Sequence, residues 1–129
     1  MQFTTENQEA LLNLTYELNK ERVEISYDAY RWAVRGYDFM GLLKNGVVIG
    51  TVALNKDNNI HVSILPEHRK QWAGKWIRCL FKRLTQDNDL FTTVFHDDVF
   101  RLRFAKRLGF EEYKTTDNVT ILKITKGTI

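Results

Sequence analysis

The stretch on which the reading of this chain turns is LPEHRKQWAGKW, residues 65–76. It follows an apolar run, Ile60–Leu65. It leads into a segment where Trp72, Trp76, Leu80 and Leu84 recur at helical spacing, joined by Ala73, Ile77 and Cys79. A strand, a short loop and a helix N-terminus in that order aim backbone N–H groups at one point, which suits an anion. The chain's only proline, Pro66, marks the break between the two elements. Gly74 would let a phosphate approach the backbone closely. Trp72, however, stands where a second glycine would serve the same end.

Working outward, the strand 60–65 alternates: His61, Ser63 and Leu65 share one face, and Ile60, Val62 and Ile64 share the other. Upstream, DFMGLLK (38–44) and VVIGTVAL (47–54) flank Asn45-Gly46, a strong hairpin signal. Met1–Thr4 reads as a short strand. Thr5 is positioned to cap a helix over 6–19, with Leu11, Leu12, Leu14 and Leu18 as its apolar side. Ser26 caps a second helix, 27–35, with Tyr27, Tyr30, Trp32 and Val34 as apolar surface and Gly36 at its end. Downstream, the spacing predicts a long helix over 68–86 and a strand at Leu90–Phe95. Asp97 or Asp98 can cap a helix running to Leu108, with Gly109 just past its end. Two last strands, Phe110–Tyr113 and Val119–Ile124, follow. The order (β)ααβββαβαββ predicts an α/β (α+β) domain over 1–129, with a mixed, mostly antiparallel sheet flanked by helices.

Composition bounds the class. In 129 residues, 43% hydrophobic and 27% charged content supplies a core and argues against disorder. One cysteine excludes a disulfide framework, and Cys79 itself reads as a small core residue. Three scattered histidines and that cysteine lack zinc-ligand spacing, so no metal is expected. No run approaches the ~20 apolar residues a membrane span needs, and MQFTTENQEA lacks the pattern of a signal peptide. A cytoplasmic location is the expectation.

The net charge of +3 is unevenly spread. Residues 66–109 carry Arg69, Lys70, Lys75, Arg78, Lys82, Arg83, Arg101, Arg103, Lys106 and Arg107 against five acids, whereas residues 1–40 are acidic. A basic half attracts anions: a nucleotide-type cofactor, nucleic acid or an acidic protein. The same charges also suit plain solvated helix faces.

The element order resembles the GNAT family of N-acetyltransferases, and three local features carry the likeness. Arg69-Lys70-Gln71-Trp72-Ala73-Gly74 is similar to the family's cofactor loop, with Trp72 in a glycine position. Arg103-Phe104-Ala105-Lys106-Arg107-Leu108-Gly109-Phe110 resembles its late-helix motif. The Asn45-Gly46 hairpin precedes the cofactor strand. A narrower likeness, over about 25 residues ending in Ile124-Thr125-Lys126-Gly127, is to GNAT-like internal virion proteins of short-tailed bacteriophages.

The resemblance implies acetyl-coenzyme A as cofactor. It would be bound by Ile64 and Leu65 at the strand end, by Arg69, Lys70, Gln71, Trp72, Ala73, Gly74 and Lys75 of the loop, and by Asp98. It also implies transfer of the acetyl group to an amine. The tyrosine that often protonates the departing thiolate in the family falls on Ala105, which has no proton to give. His61, Ser63 and His96 are the candidate catalytic groups in its place, histidine being suited to proton transfer near neutral pH. The Trp72 indole could pack in the core, stack on the cofactor or block its site.

Three functions compete. The first is an acetyl-coenzyme A-dependent N-acetyltransferase with an unidentified amine acceptor. The second is a catalytically silent domain of the same shape that binds a protein partner, in a phage virion or on a host protein. Nucleic-acid binding ranks last, since no such motif occurs and the basic helix also carries a broad apolar stripe. Nothing in the sequence sets an oligomeric state.

Overall fold

The computed structural model describes residues 2–69 and 73–128. These group into two compact units, one of residues 2–56 and 61–69, the other of residues 57–60 and 73–128. Lys70, Gln71 and Trp72, named above for the cofactor loop, lie outside the described residues.

The first unit is a four-stranded sheet in the order β1-β2-β3-β4. Its strands are β1 (Gln2–Thr4), β2 (Tyr37–Lys44), β3 (Val47–Asn55) and β4 (Ile60–Ile64). Lys44 and Val47 close the β2–β3 hairpin, and Asn45 (φ 52°) and Gly46 (φ 80°) both take the positive φ its two-residue turn requires. The sheet carries α1 (Gln8–Val23) and α2 (Tyr27–Ala33). Leu11 of α1 packs with Phe39 and Ala53, and Leu12, Val34, Tyr37 and Val48 close around them.

Two details of α1 differ from the sequence reading. Its cap is Asn7, not Thr5; Asn7 sits in the left-handed region, and its side chain accepts a hydrogen bond from the Ala10 amide at 3.1 Å. An asparagine tolerates that backbone, and its short amide reaches the helix amides. Second, the side turned inward is Leu11, Thr15 and Asn19 rather than a run of leucines; Leu12, Leu14 and Leu18 are only half-buried. Ser26 caps α2 as expected, its hydroxyl accepting from the Ala29 amide, but Trp32 is 68% exposed.

Gly50 sets the spacing between β3 and β4. A Cβ there would lie 2.7 Å from the Ser63 carbonyl oxygen and 3.2 Å from the Ile64 Cα. The absent side chain lets the two backbones approach, and the Leu65 amide donates to the Ile49 carbonyl at 2.9 Å.

The second unit is a three-stranded antiparallel sheet in the order β5-β7-β6, made of β5 (Leu90–Phe95), β6 (Glu111–Thr115) and β7 (Val119–Ile124). Beside β5, Asn59 forms a parallel bridge with Phe91, the Phe91 amide donates to the Asn58 carbonyl, and Thr92 Oγ1 donates to the Ile60 carbonyl. The helices are α3 (Ala73–Leu84) and α4 (Val99–Arg107).

The predicted helix over 68–86 is shorter than expected. Pro66–His68 forms a single 3-10 turn, and α3 proper ends at Leu84. Its inward residues are Ile77, Leu80 and Phe81, with the Phe81 ring edge-on to Phe110 at 5.4 Å. Cys79, assigned to the core from sequence, is exposed. At 3.6 residues per turn it falls on the opposite side of the helix from Ile77, Phe81 and Leu84. Asp98 caps α4, accepting from the Arg101 amide at 3.1 Å, and Gly109 (φ 111°) follows the helix end. Phe110 is buried just ahead of β6 instead of opening it.

Candidate functional site

In the first unit the candidate residues gather on β4 and the turn that leaves it. β4 is the edge of its sheet. Because the Leu65 amide faces β3, the alternation of a strand directs the peptide groups of Ile64 and Val62 the other way, off the sheet edge. The Ile64 carbonyl there accepts a hydrogen bond from Arg69 Nε at 3.0 Å. That bond folds Arg69 back over the 3-10 turn and anchors an exposed guanidinium at the end of the strand. Arg69 is thus a fixed cation, and among the described residues its remaining N–H donors meet no acceptor. The Leu65 amide is spent within the sheet, and the Ile64 side chain is in the core.

The opposite parity of β4 points toward α1. Ser63 is buried, and its Oγ accepts from Asn19 Nδ2 at 2.9 Å. The approach of Gly50 to Ile64 sets Thr51 of β3 beside Ser63, and the Thr51 and Thr15 hydroxyls are 2.6 Å apart. Asn19 also donates to the Thr15 carbonyl at 2.8 Å and accepts from Arg22 at 3.0 Å. Thr15 and Asn19, four residues apart on one helix, therefore lie over a cross-strand pair of hydroxyls. Every side chain in this layer has a partner, as buried polar groups require. The Ser63 hydroxyl is enclosed in it.

His61 shares that strand face, is half-buried, and lies with its ring 5.8 Å from the Tyr37 ring. Nearby Tyr30 is buried, and burial pushes its hydroxyl pKa up to about 12; Arg22 opposes the shift and Tyr37 adds to it.

The second unit holds the remaining candidates. Ala73 and Gly74 begin α3, and Lys75 in its first turn is exposed, 6.0 Å from the Trp76 ring centroid. Asp98 is engaged as the cap of α4 and pairs with Arg101 at 3.3 Å. His96 is exposed on the turn after β5, its amide donating to the Asn118 carbonyl. Ala105 is 6% exposed, so the position that resembles the family's tyrosine holds a methyl group inside the protein.

Sequence reasoning missed Thr15, Asn19 and Thr51. Threonine and asparagine inside a helix or strand give no periodic signal, though their i, i+4 spacing with Leu11 is visible once α1 is known to extend to Val23. Among the described residues no group of three His, Cys, Asp or Glu side chains is placed to hold a metal ion, and no helix is long and apolar enough to cross a membrane.

No protein-family model matches the sequence, and no curated protein matches it. Solved structures do match. The PaiA N-acetyltransferase of Thermoplasma acidophilum in complex with coenzyme A covers 97% of this chain and 99% of its own, at 15% identity and a TM-score of 0.70. The N-acetyltransferase PseH of Campylobacter jejuni in complex with acetyl coenzyme A covers 98% and 100%, at 11% identity and a TM-score of 0.69. Spermidine N-acetyltransferase from Vibrio cholerae, in complex with coenzyme A and spermine, covers 97% and 95%, at 15% identity and a TM-score of 0.66. The chain has the fold of the GNAT N-acetyltransferases. The narrower likeness to phage virion proteins finds no support in these comparisons.

Proposed function

We propose that the protein is an N-acyltransferase of the GNAT family that uses acetyl-coenzyme A. The observation that carries this reading is the outer edge of β4 beyond Ile60, with Arg69 anchored where the strand ends. The peptide group of Val62 and the Ile64 amide, directed off that edge, offer strand-like hydrogen bonds to an extended, amide-bearing arm. Arg69 offers charge to a pyrophosphate. All three of these similar structures hold coenzyme A or acetyl coenzyme A on the same fold, which supports the choice of cofactor.

When bound, acetyl-coenzyme A supplies a thioester whose acyl group an amine can take. The residues of this chain would bind and orient it and manage the proton of the amine. His61 and His96 are the side chains able to accept that proton near neutral pH. Ser63 has its hydroxyl held by Asn19 and serves the packing of α1 on β4. Proton return to the thiolate would fall to water, since Ala105 carries no acid.

Thermal unfolding with acetyl-coenzyme A, coenzyme A and no ligand tests the reading. A hundredfold excess over Kd stabilises by about 2.7 kcal/mol. A flat response up to millimolar ligand would overturn it. The buried methyl of Ala105 specifically favours a second reading, a domain of this shape that binds but does not catalyse. That reading, the silent domain that binds a protein partner, expects no thermal shift with coenzyme A and no acetylated product with any amine.

A further inference from the structure

We propose that the outward faces of α3 and α4 form a basic surface that binds single-stranded nucleic acid. Neither helix contains an acidic residue. On α3, Lys75, Arg78 and Lys82 recur at helical spacing and are exposed; on α4, Phe100, Arg103 and Arg107 do the same. The apolar stripe of α3, which counted against such binding, is turned inward through Ile77, Leu80 and Phe81. Arg78 joins the two faces. Its Nη2 donates to the Arg107 carbonyl at 2.6 Å, at the end of α4 where helix carbonyls lack partners.

The charges on this surface oppose folding. Arg78 and Lys82 stand four residues apart, as do Arg103 and Arg107, and like charges at that spacing destabilise a helix. Elsewhere Lys20, Arg31, Arg101, Lys106 and Lys123 each pair with a carboxylate. Among the described residues, Lys75, Arg78, Lys82, Arg103 and Arg107 pair with none. Exposed cations set side by side concentrate positive potential, and a polyanion relieves their repulsion.

Two features select a single nucleic-acid strand among polyanions. Arg78, Arg103 and Arg107 carry planar forks that grip phosphate in two places. Phe100, 62% exposed and in line with Arg103 and Arg107, offers a ring on which an unpaired base can stack. A duplex keeps its bases stacked within and leaves Phe100 unused, and a string of carboxylates brings no base to stack. Asp97, exposed just ahead of α4, opposes an anionic lipid surface.

Fluorescence anisotropy with labelled oligothymidine tests the surface, with circular dichroism confirming that each variant is folded. A Kd of about 10⁻⁶–10⁻⁴ M is expected at physiological salt. The logarithm of affinity should fall against that of salt concentration with a slope of about −3.5, the value for five phosphate contacts. Lys82→Gln with Arg103→Gln removes two cations whose side chains make no hydrogen bond among the described residues. It should weaken binding and reduce the slope to about −2.1. Lys20→Gln with Lys56→Gln removes the same charge from the other unit and should leave binding nearly unchanged. Phe100→Ala should weaken oligothymidine binding about tenfold and leave duplex DNA binding as it was. Oligothymidine that fails to bind at low salt overturns the proposal. So does binding that Lys20→Gln with Lys56→Gln weakens as much as Lys82→Gln with Arg103→Gln, or that Phe100→Ala spares. Equal binding of polyglutamate or of phosphatidylserine vesicles overturns it as well.

Discussion

The side-chain amide of Asn19 donates to the hydroxyl of Ser63 at 2.9 Å, tying the C-terminal half of α1 to β4, the strand that carries the candidate cofactor edge. Both side chains are buried, and Asn19 is held as well by the Thr15 carbonyl and Arg22. Asn19→Ala should therefore cost about 1–3 kcal/mol in urea unfolding, the cost of stranding a buried polar group. Ser63→Ala should cost a similar amount while leaving acetyl transfer intact. The double variant should cost clearly less than the sum of the two. Strict additivity would mean the contact carries no coupling energy, and loss of transfer in Ser63→Ala would return the serine to the catalytic set.

Two glycines in the same unit should respond in opposite ways. Gly50→Ala places a methyl group 2.7 Å from a backbone oxygen that cannot swing aside, so about 1–3 kcal/mol should be lost as β4 moves away. At Gly36 nothing lies within 4 Å of an added Cβ. Gly36→Ala should be neutral or stabilise by about 0.4–1 kcal/mol, by restricting the unfolded chain. Chemical unfolding of the pair gives both signs in one experiment.

Tyr30 links stability to alkaline pH. Its folded pKa of about 12 exceeds the ordinary value of 10.0, so the folded state holds the proton more tightly than the unfolded state. The stabilisation is complete below pH ~10 and is lost as pH rises through 12, and two pKa units are worth at most about 3 kcal/mol. Tyr30→Phe should flatten the fall in stability across that window. Equal slopes for both proteins would show that burial does not perturb this phenol.

Asp98 separates capping from cofactor binding. Asp98→Ala should destabilise α4 by about 1 kcal/mol, and Asp98→Asn should not, since asparagine caps equally well. Coenzyme A affinity that falls in Asp98→Asn, with stability unchanged, would give the carboxylate a direct role at the cofactor.

Arg69 carries the heaviest load in the proposed function. Arg69→Ala should weaken coenzyme A binding about tenfold, or ~1.4 kcal/mol, with little change in unfolding free energy. Lysine should rescue it incompletely, because it cannot hold the Ile64 carbonyl and present a planar fork at the same time. Calorimetric titration of the three proteins decides the matter.

The elements were legible wherever local chemistry speaks loudly. Asn45-Gly46 declared the hairpin, Ser26 and the pair Asp97-Asp98 declared helix starts, and alternation along 60–65 separated the face that meets α1 from the opposite face. The start of α1 was not legible, because Thr5 and Asn7 are both good caps and only the fold chooses between them. Nor was the inward side of α3. Trp76 and Cys79 fitted a stripe on hydrophobicity alone, whereas packing took Ile77, Leu80 and Phe81 and left the cysteine outside.

By itself the sequence determined the order of strands and helices, since turns, caps and periodicity act between residues close along the chain. It also determined that a basic segment follows a strand at Pro66. Only the tertiary structure decided what the polar side chains do. Whether Ser63 meets a substrate or Asn19 depends on a residue 44 positions away, and whether Arg69 is a loose surface charge or an anchored one depends on a carbonyl at the edge of β4. Hydrogen bonds of that kind are set by three-dimensional approach, which no local pattern encodes.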